Sequence, residues 1–258
     1  MNSEYHQIII GSGFAGLCAA IKLKDQGEKN FVILERNNWL GGTWYDNHYP
    51  GAECDVESHL YSFSFEPNPN WSKQFSPQEE ILRYMEYCVE KYDLKKHLQF
   101  NTTVSKAVFD DAKGTWKVTD EAGKTYSAKV VVSCVGGLSQ ACLPDIKGID
   151  TFKGKKFHSA AWDRSFDINN KTVAVIGTGA SAIQIVPAIA ADVKQLNLFQ
   201  RTPPWIMPKP DKQISSLRKW MYNHFPFTQR LYRGRLYWQH ELMAFGFVKN
   251  QGLLKFGS

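Results

Sequence analysis

The sequence predicts an α/β fold of two strand–glycine turn–helix units, with a β-meander between them and helices after them. Three observations carry this. The stretch "YHQIIIGSGFAGLCAAIKLKDQG" is an apolar strand that enters an amphipathic helix through Gly11, Gly13 and Gly16. The same order recurs in "KTVAVIGTGASAIQIVPAIA", with Gly177, Gly179 and Ala182 at the turn. Between the two lie alternating apolar and polar runs, "FNTTVSKAVFD" and "TWKVTDEAGKTYSAKVVVSCVGG", interrupted by a Glu-Ala-Gly-Lys turn.

The first unit has the context that a phosphate-cradling glycine turn requires. Gly11 permits the tight turn, Gly13 lets the backbone approach a pyrophosphate, and Gly16 lets helix pack on strand. The helix N-terminus then offers unpaired N–H groups to the phosphates. A second strand, "FVILER", ends in Glu35, nineteen residues after Gly16. A carboxylate there accepts ribose hydroxyls and repels a 2′-phosphate, so this unit is expected to take FAD or NAD and not NADP. Both units are thus read as Rossmann-like dinucleotide-binding domains.

The loop "NNWLGGTWYDNHYPGAECDVESHLYSF" is too long and too rich in Gly, Pro and aromatics for a plain connection. It offers flat surfaces that could wall a planar ring at Trp44, Tyr45, His48, Tyr49 and Tyr61, and charge at Asp46, Glu53 and Asp55. Next, "SPQEEILRYMEYCVEKYDL" reads as a helix, with Ser76 as N-cap, Pro77 in the first turn and Glu79 closing a capping box. Its apolar stripe is Ile81, Met85, Cys88 and Val89. After the meander, Val130–Val135 reads as a fully buried strand that completes a doubly wound sheet.

In the second unit, nineteen residues past Ala182 lies Arg201, read as the counterpart of Glu35. A guanidinium grips a 2′-phosphate in a bidentate manner, which reverses the coenzyme preference. Two sites of opposite ribose chemistry imply two dinucleotides, FAD first and NADPH second.

Composition narrows the class further. The 258 residues are 43% apolar and 22% charged, an ordinary globular balance. The five cysteines are odd in number and lack CxxC spacing, so they read as reduced thiols of a cytosolic protein, not as a disulfide frame or zinc site. From Arg201 onward there are ten Lys/Arg against two acids, and earlier 21 against 23. We read this basic, aromatic tail as a solvated helical face near an anionic cofactor, not as a nucleic-acid or membrane surface.

Two further patterns carry a family resemblance. Phe152, Gly154, His158, Trp162 and Asp163 meet F-x-G-x-x-x-H-x-x-x-W-[PD]. Gly41, Gly42, Trp44, Tyr49, Pro50, Gly51 and Asp55 meet [AG]-G-x-W-x(4)-[FY]-P-[GM]-x(3)-D. With the two glycine turns in this order, the chain resembles class B flavin-dependent monooxygenases of the Baeyer–Villiger type. The N- and S-oxygenating relatives, which usually carry Tyr at the Trp162 position, are the alternative. The resemblance implies an NADPH-dependent, FAD-containing enzyme that converts ketones and dioxygen to esters or lactones through a C4a-peroxyflavin. It implies that Asp55 orients a peroxyanion-stabilising arginine and that His158 positions the cofactor while coupling the two domains. It places cofactor contacts at Gly11, Gly13, Ala15, Gly16, Glu35, Gly42, Thr43, Trp44, Asp55, Tyr61, Val104, Trp162, Gly177, Thr178, Gly179, Ala180, Ser181, Ala182, Gln184, Arg201 and Thr202. No metal is expected.

The resulting division is an FAD-binding part over 1–140, a linker over 141–165, the first βαβ half of an NADP-binding domain over 166–210, and the start of a helical insertion over 211–258. Members of that family are much longer, and this chain closes on "LLKFGS" without a cap. It therefore reads as an N-terminal fragment or truncated product, with the expected arginine beyond Ser258 and ketone oxygenation by the chain alone not expected. A non-catalytic FAD-binding remnant is the non-enzymatic alternative.

Overall fold

The computed structural model describes residues 3–249 apart from 138 and 207; the terminal "LLKFGS" lies outside the described residues. The chain divides into two compact units, one of Met1–Ala52 with Ile81–Pro204 and one of Glu53–Glu80 with Trp205–Ser258.

In the first unit, β1 (Ser3–Ile10), α1 (Phe14–Asp25) and β2 (Phe31–Leu34) form the first strand–turn–helix–strand repeat. The short α2 (Thr43–Asp46) follows, then α3 (Gln78–Lys91), whose first residues belong to the other unit. The strands β3 (Leu98–Gln99), β4 (Val104–Asp110), β5 (Thr115–Asp120) and β6 (Thr125–Ser133) complete a six-stranded sheet of order β3-β2-β1-β6-β5-β4. Pairing is parallel from β3 to β6 through β2 and β1, and antiparallel along β6-β5-β4. The meander is thus continuous with the parallel sheet, because β6 belongs to both.

Central position explains the apolar run of β1. Ile8 and Ile9 point to opposite faces and both are fully buried. Ile9 lies under α1, close to Gly16, and α1 buries Leu17, Ala20 and Ile21 at helical spacing. Ile8 joins Val32, Leu34, Val118, Tyr126 and Ala128 on the other face.

Two sequence expectations are corrected here. The β6 end is not fully buried: Val130 is 43% and Val135 54% exposed. From Val130 to Ser133 the backbone pairs with β1, Val135 lies beyond the strand, and backbone pairing satisfies hydrogen bonds without covering side-chain faces. The expected capping box is also shifted. The helix starts at Gln78, the Pro77 carbonyl accepts from the Glu80 N–H, and the Glu80 carboxylate, not Glu79, reaches back to the N–H and hydroxyl of Ser72. The expected stripe of α3 is buried, with Ile81, Met85, Cys88 and Val89 all inside.

The second repeat comprises β7 (Thr172–Ile176), α4 (Ala180–Ile189) and β8 (Gln195–Phe199), the two strands pairing in parallel. In the other unit, α5 (Ser216–His224) and α6 (Pro226–Val248) realise the expected helical tail. Ser215 caps α5 by accepting from the Arg218 N–H, and Pro226 opens α6, where a missing donor costs nothing. Their buried contacts include Tyr222, Gln229 and Leu236. The tail is not purely a solvated face: Arg233 donates to the carbonyls of His59 and Leu60. No described helix is long and apolar enough to cross a membrane.

Candidate functional site: two glycine turns and the fingerprint loops

The two glycine turns are conformational copies of each other. Gly11 has φ +100 and Gly177 φ +106, backbone that favours glycine. The N-caps Gly13 (φ −73, ψ −173) and Gly179 (φ −74, ψ −177) coincide as well, and neither helix carries a side-chain cap or an acid in its first turn. The Gly11 N–H donates to the Leu34 carbonyl at 2.8 Å, and the Gly177 N–H to the Phe199 carbonyl at 2.8 Å. Two uncapped helix N-termini therefore face outward at Ala15 and at Ala180, Ser181 and Ala182, each with unpaired donors and positive dipole ends suited to a pyrophosphate.

Close approach is built into the first turn. A Cβ on Gly16 would lie 1.9 Å from the Gly11 carbonyl oxygen, so no side chain fits there. A Cβ on Gly13 would meet only the Gly42 Cα, at 3.8 Å, so the protein itself leaves that space open. The first fingerprint sits directly on this turn: the Gly41 N–H donates to the Ser12 carbonyl, and Gly42 has φ +53. Thr43 and Trp44 follow in α2, Thr43 exposed and Trp44 buried, and Asp46 is held by Arg36 and Asn37. Val104, at the start of β4, packs on the Ile8 cluster.

Glu35 closes the first turn from the strand side. It is 3% exposed; its Oε2 accepts from the N–H and hydroxyl of Ser12 at 2.8 and 2.7 Å, and its Oε1 accepts from the Asn37 N–H at 2.9 Å. The buried carboxylate is held rigid beside the glycine turn, as a ribose acceptor must be.

Strand register corrects the counterpart of Glu35. Ile10 pairs with Leu34, and Ile176 with Phe199, so the residue equivalent to Glu35 is Gln200, and Arg201 is equivalent to Arg36. The connection in the second unit is one residue shorter, which a count from the helix cannot detect. The charge contrast survives in another form, with a neutral amide replacing the acid and an exposed guanidinium next to it at Arg201, then Thr202.

The second fingerprint is a folded linker. The Phe152 ring lies over Gly154, 2.6 Å from where a Cβ would stand. His158 caps a short turn, its Nδ1 accepting from the Ala160 N–H at 3.1 Å, so its proton resides on Nε2. Asp163 accepts from Lys155 at 2.7 Å and from Ser165, and this pairing holds its carboxyl down at about 2. The Trp162 carbonyl lies 3.1 Å from Nε2 of His48, one of the flat side chains expected of this loop, which stands at an unspecified position of the first fingerprint.

Tyr49 and Gly51 dock that first fingerprint on α4. The Tyr49 hydroxyl donates to Gln184 Oε1 at 3.0 Å, and Tyr49, Ala52, Ile185 and Ile189 share a cluster on which Trp162 packs. Gln184 is thereby committed to a buried protein contact. In the other unit, Asp55 is exposed and pairs with Lys209 at 3.0 Å; Lys209 also takes Glu53 at 2.7 Å. Tyr61 is partly buried there. Burial pushes the adjacent Cys54 thiol up to about 11, so it is no nucleophile at neutral pH.

Comparison with known proteins agrees with this geometry. Residues 5–217 match the flavin-binding monooxygenase-like family. The chain is 49% identical over 240 residues to a Baeyer–Villiger monooxygenase of Pseudomonas aeruginosa, covering 93% of this chain and 46% of that protein. It is 49% identical over 248 residues to one from Streptomyces coelicolor, covering 96% and 48%. It is also similar to the crystal structure of cyclohexanone monooxygenase from Rhodococcus sp. Phi1 bound to NADP+, with a TM-score of 0.81 and 36% identity, covering 88% of this chain and 44% of that one. The chain spans just under half the length of the relatives it matches.

Proposed function

Because the chain belongs to the flavin-binding monooxygenase-like family, we propose that it binds FAD at the first glycine turn and NADPH at the second, in a protein that oxidises ketones to esters or lactones. The observation that carries this is the pair of matched turns whose following residues differ in charge, Glu35 against Gln200 and Arg201.

The residues fit these groups. The α1 N-terminus and the open space at Gly13 receive a pyrophosphate, and Glu35 accepts ribose hydroxyls. Thr43 and Trp44 flank the same turn from the first fingerprint. Gly177 and Gly179 cradle the second pyrophosphate, while Arg201 and Thr202 take the 2′-phosphate that Gln200 does not repel. The supplied chemistry, hydride acceptance and dioxygen activation, belongs to bound FAD. The chain's own part is to bind, orient and exclude water. Asp55 contributes a negative charge that orients a cation in the oxygenating centre, and His158 with Trp162 forms the adjustable connection between the two nucleotide sites. The division into 1–140, 141–165, 166–210 and 211–258 belongs to the same proposal.

The test measures bound FAD in the purified protein, then NADPH oxidation and ester or lactone formation with cyclic and linear ketones in a protein of the relatives' length. Colourless protein with no flavin after reconstitution would refute the assignment at its root. Oxygenation of amines or sulfides with no action on ketones would move the protein to the heteroatom-oxygenating relatives.

A further inference from the structure

Trp162 is gripped from two directions. Its side chain packs on the cluster of Tyr49, Ala52, Ile185 and Ile189, which places the indole against α4, the helix of the second glycine turn. Phe157 meets it edge-on, with ring centroids 5.1 Å apart. Apolar packing of this kind is non-directional, so it seats the ring without orienting the peptide that follows.

That peptide is oriented from the other fingerprint. The turn before Trp162 satisfies itself, the Ala161 N–H donating to the His158 carbonyl at 2.9 Å and the Ala160 N–H to His158 Nδ1 at 3.1 Å. Beyond it, the Ser165 and Phe166 N–H groups both donate to Asp163, one to Oδ1 and one to the carbonyl. Trp162 itself is extended (φ −60, ψ 125), and its carbonyl takes part in neither turn. Among the described residues the one donor to this carbonyl is His48 Nε2, at 3.1 Å and across 114 positions of sequence.

A carbonyl only accepts, so the ring nitrogen that faces it carries the proton. The other nitrogen, Nδ1, lies 3.3 Å from the Tyr45 carbonyl, three residues back in the same loop. The two carbonyls compete for the single proton of a neutral imidazole, and the Trp162 contact is the shorter. Residues on either side hold His48 in place. The Asn47 amide donates to the Thr43 carbonyl at 3.0 Å, and the Tyr49 hydroxyl donates to Gln184 at 3.0 Å. His48 is part-buried, where an unmade hydrogen bond costs more than at the surface.

We propose that His48 is a positioning residue: its Nε2–H holds the Trp162 carbonyl, so that the first fingerprint, seated on the first glycine turn, sets the direction in which the linker runs on toward β7 and the second turn. The consequence for coenzyme binding rests on the assignment of FAD and NADPH to the two turns. The first fingerprint leaves position 48 unspecified, so this role belongs to the residue that this chain carries there.

Trp162–Asp163 is the one Trp-Asp step in the sequence. The 258-residue chain labelled with carbonyl-13C tryptophan and 15N aspartate therefore gives a single carbonyl–nitrogen NMR correlation, from this peptide. His48→Leu should move its carbonyl signal upfield, the direction expected when an accepted hydrogen bond is lost. His48→Gln, whose amide nitrogen reaches the Nε2 position, should restore the signal, and His48→Asn, which reaches only the Nδ1 position, should not. FAD content should be the same in all three variants. NADP+ affinity should fall about two- to tenfold in His48→Leu and His48→Asn and recover in His48→Gln. An unmoved carbonyl in His48→Leu, or rescue by Asn and not by Gln, would overturn the proposal. So would a moved carbonyl with unchanged NADP+ affinity, because the contact would then serve structure only. A parent chain that binds neither nucleotide would refute the assignment of the turns, and the carbonyl signal would still decide whether His48 holds Trp162.

Discussion

The hydroxyl of Tyr49 donates to Oε1 of Gln184 at 3.0 Å across 135 positions of sequence. This bond joins the first fingerprint to the helix of the second glycine turn, and Gly51 makes the approach possible. Gly51 has φ +79, and a Cβ there would lie 2.7 Å from the Gln184 carbonyl oxygen and 2.9 Å from the Ala188 Cβ.

Gly51→Ala should therefore destabilise the first unit by about 2–4 kcal/mol, since strain and overlap with backbone add together. Tyr49→Phe, which removes the hydrogen bond to Gln184, should cost about 0.5–1.5 kcal/mol. Thermal unfolding of both variants checks the order. An alanine variant as stable as the parent would mean the loop does not dock as described.

Coenzyme choice should follow register and not the count from the helix. Arg201→Ala should remove roughly 1.5–3 kcal/mol of preference for NADPH over NADH by removing one charge-assisted contact. Gln200→Glu should penalise NADPH and leave NADH binding intact or improved, because it restores at the second strand end the carboxylate found at Glu35. Direct titration with both coenzymes decides. If Gln200→Glu leaves the ratio unchanged, the equivalence of Gln200 and Glu35 fails.

Flavin retention should depend on the first turn alone. Gly13→Val places a branched side chain where the backbone must be approached closely, and should abolish retention. Glu35→Gln keeps the shape but removes a charge and one acceptor from the pair of Ser12 donors, and should weaken FAD by about tenfold. Variants that purify as yellow as the parent would place the flavin elsewhere.

Acid sensitivity of the linker is expected from Asp163. Its carboxyl is held down at about 2, first by the hydrogen bond from Lys155 and then by Ser165, against an ordinary aspartate value of 3.8. A depressed folded value means the contribution is complete above about pH 4 and is lost as pH falls through 2. In Lys155→Met the Asp163 midpoint, read by carboxyl 13C NMR, should rise toward the ordinary value. An unmoved midpoint would show that Lys155 is not its main partner.

Much of this architecture is legible without coordinates because it is local. A strand, a glycine needing positive φ and an amphipathic helix are specified within about twenty residues by periodicity and backbone sterics. Both repeats, Gly11 and Gly177, and the stripe of α3 are therefore readable directly, as is the helical tail. The fingerprint spacing is equally a property of the chain, since Phe152 folding onto Gly154 and His158 capping its own turn are contacts between near neighbours.

Tertiary structure alone decided what depends on elements meeting at a distance. Strand register placed Gln200 opposite the position of Glu35, because hydrogen bonding between β7 and β8, not chain count, sets which residue follows the turn. The exposure of Val130 and Val135 depended on which faces other elements cover, and an apolar run carries no record of that. The commitment of Gln184 to Tyr49, the pairing of Asp55 with Lys209, and the bonds of Arg233 to the His59 and Leu60 carbonyls each join residues more than a hundred positions apart. Composition and periodicity encode which faces are apolar, whereas a polar atom's partner is chosen only when the folded chain brings two surfaces together.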